Sequence, residues 1–108
     1  MPDQTVTVTF DPAATPQFTF TPDPVTLTAA GKIILNRAGG SSWTFTGMSI
    51  TSNDGQLGNP TINPAGASIQ VNDACSLKNR YCYTVTVSLN GNSTTSPDPT
   101  IVNDPPSP

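Results

Sequence analysis

The sequence contains no histidine and no glutamate. Without histidine, Ser-His-Asp and Cys-His nucleophiles, imidazole acid–base catalysis and nearly all familiar zinc sites are closed to it. Cations are scarce too: Lys32, Arg37, Lys78 and Arg80 stand against seven aspartates, for a formal net charge of −3. Nucleic-acid binding needs a basic footprint that displaces counterions from phosphates, so no nucleic-acid partner is expected. No apolar run approaches the ~20 residues of a membrane span, and residues 1–10 lack the basic and apolar regions of a signal peptide. A cytoplasmic location without a membrane partner is the default expectation. The carboxylates mostly adjoin proline or glycine, where aspartate serves as a turn residue. No carboxylate pair is marked for glycoside hydrolysis. No catalytic residue, no cofactor and no enzymatic activity are expected.

What is present is a β-pattern. Thr, Ser, Asn and Gly supply the polarity that charge does not, and β-branched threonine suits strands whose outer face is wet. The 108 residues suit one domain, 1–108, with 104–108 as a proline-rich tail without fixed structure. Residues 5–10 alternate threonine with Val6, Val8 and Phe10. The same period of two places Phe18 with Phe20, Val25 with Leu27, Trp43 with Phe45, and Ile69 with Val71. It is strongest in residues 81–89, where Tyr81, Tyr83, Val85, Val87 and Leu89 share a core face and Cys82, Thr84, Thr86 and Ser88 share the other. The run Ile33-Ile34-Leu35 suits a strand partly covered on both faces. Asn53-Asp54-Gly55 and Asn90-Gly91 are hairpin signals. About seven to eight short strands and no helix predict an all-β fold, two antiparallel sheets packed as an immunoglobulin-like sandwich in preference to a barrel.

Proline punctuates this pattern. Thr21-Pro22-Asp23-Pro24 and Ser96-Pro97-Asp98-Pro99 echo each other, and Asp-Pro recurs at Asp11-Pro12 and Asp104-Pro105. Proline cannot donate to a ladder and pushes its predecessor out of the helical region, so these segments predict stiff bends. Such bends fit a crossing between sheets or the protection of an edge. Residues 100–103 are thus expected to form a terminal strand paired on one side only. The Phe10-Asp11 and Phe18-Thr19-Phe20 segments, and above all the tail from Ser96-Pro97-Asp98-Pro99 through Asn103-Asp104-Pro105, resemble the small bacterial proteins of the DP-EP family. The resemblance implies an immunoglobulin-like β-sandwich of uncharacterised function, with no catalytic residue to carry over. Asp104-Pro105 stands where that name would place Glu-Pro.

Four features remain as candidate sites. Cys75 and Cys82 bracket six residues; with no histidine they cannot complete a zinc site, and a structural disulfide between them is left open. Asp11, Asp98 and Asp104 are candidate calcium ligands should they converge at one end of a sandwich. Trp43, after the flexible Gly39-Gly40-Ser41-Ser42, is a candidate sugar-contacting aromatic as well as a candidate core residue, whereas Tyr81 and Tyr83 alternate with core valines. Asn92-Ser93-Thr94 matches a glycosylation acceptor. The function expected by elimination is a structural or protein-interaction module working through a strand edge or through loops 38–42, 51–67 and 91–96. Carbohydrate or calcium binding is the alternative. An unpaired, proline-free edge strand favours protein partners, an exposed aromatic shelf favours sugar, and clustered carboxylates favour calcium.

Overall fold

Side chains that alternate in sequence alternate across the pleat, and the computed structural model, which describes residues 3–13, 17–38, 42–51, 55–97 and 99–105, is built mainly from such strands. In chain order these are β1 (Gln4–Phe10), β2 (Phe18–Thr21), β3 (Val25–Leu27), β4 (Gly31–Arg37), β5 (Thr44–Thr51), β6 (Thr61–Ile62), β7 (Ser68–Asp73), β8 (Asn79–Leu89), β9 (Asn92–Thr95) and β10 (Thr100–Asn103). The described residues contain no helix, and so none long and apolar enough to cross a membrane. The described residues form ten strands, more than the seven or eight expected, because two-residue β6 and β9, which pairs with β8 where a loop was expected, are additional.

One sheet runs β2-β1-β4-β7-β6 and the other β3-β10-β8-β5, with β9 also on β8. The sheets are mixed: β1 pairs β4 in parallel and β3 pairs β10 in parallel, while the other pairings are antiparallel. Alternation in sequence marks which face is apolar but carries no information on strand direction, so the parallel pairs were not foreseen. Between the sheets lie Val6, Val8, Ile33, Leu35, Ile69 and Val71 from one side and Val25, Leu27, Phe45, Tyr81, Tyr83, Val85, Val87 and Ile101 from the other, all buried. Each such side chain contributes ~1.5–3 kcal/mol on burial. Ile34 is half-buried on the opposite face of β4, as its place in the unbroken apolar run suggests.

The two proline-bearing tetrapeptides do different things. Thr21-Pro22-Asp23-Pro24 carries the chain from β2 in one sheet to β3 in the other; both X-Pro bonds are cis, and Asp23 Oδ1 accepts from the Thr100 N–H at 3.0 Å. In the second, Ser96, Pro97 and Pro99 lie between β9 and β10, which belong to the same sheet, so no crossing is made there. Because β5 occupies one side of β8, β9 and β10 share the other, pairing with its late and early halves respectively. In the gap the Val85 N–H donates to Ser96 Oγ at 2.9 Å and the Val85 carbonyl accepts from the Ser96 N–H at 2.8 Å. The Ser96 hydroxyl donates in turn to the Pro97 carbonyl at 2.8 Å. A side-chain oxygen thus stands in for a ladder carbonyl, and the Tyr83 N–H reaches the Pro99 carbonyl at 3.0 Å where regular pairing resumes.

Three expectations are corrected here. β10 is not paired on one side only: β3 and β8 flank it, because the crossing at Pro22 and Pro24 delivers β3 to its outer edge. Residues 92–95 are strand rather than loop; the turn is confined to Asn90 and Gly91, whose φ values of 53° and 82° suit a tight two-residue hairpin with Leu89 opposite Asn92. Gly55 does not close a hairpin, since β5 and β6 belong to different sheets; Asn53 and Asp54 lie outside the described residues. The expected tail begins with a tethered residue, the Asp104 N–H donating to the Leu27 carbonyl at 2.8 Å; residues 106–108 lie outside those described.

Replacing Ser96 by Ala leaves the buried Val85 N–H without its acceptor. The variant loses about 1–3 kcal/mol of unfolding free energy in denaturant titration with an unchanged m-value, and an unchanged midpoint would show that the hydroxyl is not holding the ladder.

Candidate functional site

A β-sheet edge is a row of main-chain donors and acceptors without partners, and proteins blunt it with proline, charge or brevity. Most edges here are blunted. β2 runs into Pro22, β3 begins after Pro24, two-residue β6 lies between Pro60 and Pro64, and β9 ends at Ser96-Pro97. β5 is the exception: it forms an edge of its sheet over 8 residues with neither a proline nor a charged side chain.

Which β5 groups face outward follows from β8. Val85 directs both main-chain groups at Ser96, and Tyr83 directs its N–H at Pro99, so the odd residues of β8 bond towards β9 and β10. Thr84 and Thr86 therefore bond towards β5, where they oppose Ser49 and Gly47. Met48 and Ile50, opposite Val85 and Tyr83, are left with N–H and C=O pointing away from the sheet. Their side chains are half-buried against the core, and Ser49 and Thr51 are exposed. A bulge at Thr46 separates this stretch from Phe45, whose N–H donates to the Gly66 carbonyl at 2.8 Å. Gly66, at φ 72°, leaves a Cβ no room: it would lie 2.7 Å from Thr44 Cβ. That close approach covers the Phe45 end of β5 and leaves the Met48–Ile50 end open.

The sugar-contacting role considered for Trp43 is overturned. The residue is 2% exposed, and its ring packs edge-on against Phe45 at 4.9 Å and Phe10 at 6.3 Å. Flanking Phe10–Phe18 and Phe20–Tyr83 contacts, at 4.7 and 5.8 Å, make these rings a continuous part of the core. The alternation of Trp43 with Phe45, rather than the glycines before it, was the better guide.

The calcium candidates do not converge. Asp11 follows β1 at the end of the sandwich where Val8 meets Arg37; Asp104 follows Asn103 at the other end, where Gly31 meets Asp73. Asp98 lies outside the described residues. Asp11 Oδ1 accepts from the Ala13 N–H at 2.9 Å, a local turn contact, and Asp104 pairs with Lys78 Nζ at 3.3 Å on the surface. Among the described residues no three His, Cys, Asp or Glu side chains form a metal-holding group.

Cys75 and Cys82 are free thiols on opposite sides of the second sheet. Cys82 shares the outer face of β8 with the threonines, whereas Cys75 is buried and its Sγ–H donates to the Leu27 carbonyl at 3.3 Å. Burial, and then the neighbouring Asp73, push the Cys75 thiol above its ordinary pKa. Beside it lies a polar cluster not singled out from sequence. Asp73 and Asn103 are both buried; Asp73 Oδ1 accepts from Asn103 Nδ2 at 2.7 Å and from the Cys75 N–H at 2.9 Å. The signal for it was periodicity: Asp73 is in phase with Ile69 and Val71, and Asn103 with Ile101. The cluster ties the end of β7 to the end of β10 and so locks one sheet to the other.

Among the described residues the fold is a helix-free β-sandwich whose β5 edge leaves main-chain groups of Met48 and Ile50 pointing outward. The family model of the DP-EP family matches residues 2–105, nearly the whole chain, and the chain belongs to that family. No curated protein matches it significantly.

In native, unreduced protein a thiol reagent modifies Cys82 quickly and Cys75 only on unfolding; two fast thiols, or none, would contradict the placement. Burial, and then Asp23, push the Tyr83 hydroxyl above its ordinary value of 10.0, and that hydroxyl has no hydrogen-bond partner among the described residues. Tyr83 ionises in the unfolded chain first, so its contribution to stability is intact below about pH 10 and falls as pH rises beyond it. Tyr83→Phe is therefore neutral or stabilising at pH 7, by up to about 1 kcal/mol, and shows a shallower alkaline loss of stability than the parent.

Proposed function

We propose that this domain is a non-enzymatic protein-interaction module that receives an extended segment along the free edge of β5. The observation that carries the proposal is the outward main chain of Met48 and Ile50 on an edge that lacks the proline found beside the others. Strand addition takes its affinity from main-chain hydrogen bonds and its selectivity from alternate side chains. Here Met48 and Ile50 supply the selectivity: an added strand covers their half-buried side chains with its own inward-facing residues, which are therefore apolar at alternate positions.

The sandwich is read here as immunoglobulin-like. Supporting this, β4, β5, β6, β7, β8 and the β9–β10 edge occupy in chain order the places of strands B to G, three in each sheet. In that arrangement the C strand, here β5, is an edge of its sheet.

Amide hydrogen exchange tests the proposal. In dilute protein the Met48 and Ile50 amides exchange fast while those of Gly47 and Ser49, bonded to β8, exchange slowly. On addition of an extended peptide selected for binding from a random library, the two fast amides become protected. Slow exchange at Met48 and Ile50 in the dilute protein alone would mean that the edge is already covered, and would end the proposal.

A further inference from the structure

We propose that the strand accepted by β5 is β5 of a second copy, in an antiparallel pair about a two-fold axis through Ser49. This rests on the strand-addition role of the β5 edge and names its occupant. An antiparallel pair centred on Ser49 sets Met48 opposite Ile50 of the other copy, and Ile50 opposite its Met48. These are the residues whose N–H and C=O groups point outward, so each Met48–Ile50 pair exchanges both main-chain hydrogen bonds and Ser49 faces Ser49 in the non-bonded position between them. No shift of register is needed to match donors with acceptors.

The side chains agree with the backbone. Met48 and Ile50 lie on the core side and are half-buried, so the pair places an apolar side chain of one copy beside an apolar side chain of the other on each side of the axis. Ser49 and Thr51 lie on the outer face, where small hydroxyl side chains meet. β5 has no charged residue, so two chains of net charge −3 meet along it without apposing like charges. The incoming strand is already extended and held by β8, so pairing avoids the ordering cost that a disordered segment incurs. The axis also closes the assembly, because each β5 edge is consumed by its partner. The Gly66 segment over Phe45 keeps the contact to the Gly47–Thr51 end.

Cross-linking and mass test this together. A non-bonded antiparallel pair brings its Cα atoms to about 4.5 Å, within the reach of a disulfide. With Cys82→Ser removing the exposed thiol, Ser49→Cys therefore forms an intermolecular disulfide under mild oxidation at least about tenfold faster than Thr51→Cys, whose counterpart is Gly47 rather than itself. In sedimentation equilibrium of the full chain from micromolar to millimolar concentration, the parent associates to a dimer. Met48→Pro, which removes an outward N–H and leaves the bonds to β8 in place, raises the dissociation constant by about tenfold or more. Its circular dichroism and melting check that it is folded, and the Ser49→Cys result does not depend on it. A chain that stays monomeric at millimolar concentration with Met48 and Ile50 still exchanging fast overturns the dimer and leaves the edge for a foreign strand. Protection of those amides in the dilute monomer overturns both. A dimer indifferent to Met48→Pro, with no preference for Ser49→Cys, places the contact elsewhere and also overturns the proposal.

Discussion

The main-chain hydrogen bonding of β8 is the constraint on which the rest of the molecule depends. This strand of 11 residues alternates so that Tyr81, Tyr83, Val85 and Val87 enter the core while its N–H and C=O groups point alternately to the two flanking sides. Those groups lie in a sheet whose inner face is dry, and a buried one left unmade costs about 1–3 kcal/mol. β5 satisfies one side continuously. The other must be satisfied across a segment carrying two prolines, and the Ser96 hydroxyl makes that possible. Once β8 is paired on both sides, the direction in which each of its neighbours can still bond is fixed.

From this follows the asymmetry between the edges. Proline beside β2, β3, β6 and β9 stops each ladder at a residue with no N–H to donate, whereas no proline adjoins the described length of β5. The same residue type therefore does opposite things to architecture and to the function proposed. It shapes the crossing at Thr21-Pro22-Asp23-Pro24 and the break between β9 and β10 at Pro97 and Pro99, and by its absence from β5 it leaves the edge on which the proposed pairing rests. The affinity available at such a surface is bounded by a few main-chain bonds and two half-buried side chains, which suits a reversible contact.

The two ends of the sandwich are held differently. At the end near Arg37, aromatic rings interlock and the Arg37 guanidinium donates to the Trp43 carbonyl at 2.6 Å. At the other, Asp73, Asn103 and Cys75 form a buried polar cluster that joins a strand of each sheet. A polar cluster demands specific geometry where an apolar contact tolerates sliding, so this end fixes how the sheets are set against each other.

Much of the fold was legible in the sequence, and the reason is local. Period two follows from the geometry of a single extended strand, so the faces of β1, β7 and β8, the tight turn at Asn90-Gly91 and the all-β class were present in short windows of residues. The family was legible from the aspartate–proline segments. The site was legible only as a condition, an edge strand without proline, and not as a place. Of the two readings open for Trp43 the core one holds, as its alternation with Phe45 suggested, whereas residues 92–95 misled because a turn signal does not reveal how soon pairing resumes. By itself the sequence determined which side chains face inward and that no imidazole is present. The tertiary structure alone decided that β1 runs parallel to β4, that β10 lies between β3 and β8, that Cys75 and Cys82 stand on opposite sides of a sheet, and that β5 is an open edge. Each of these depends on which distant segments pair, and pairing energy is shared between residues far apart in the chain, so no stretch of sequence holds it alone.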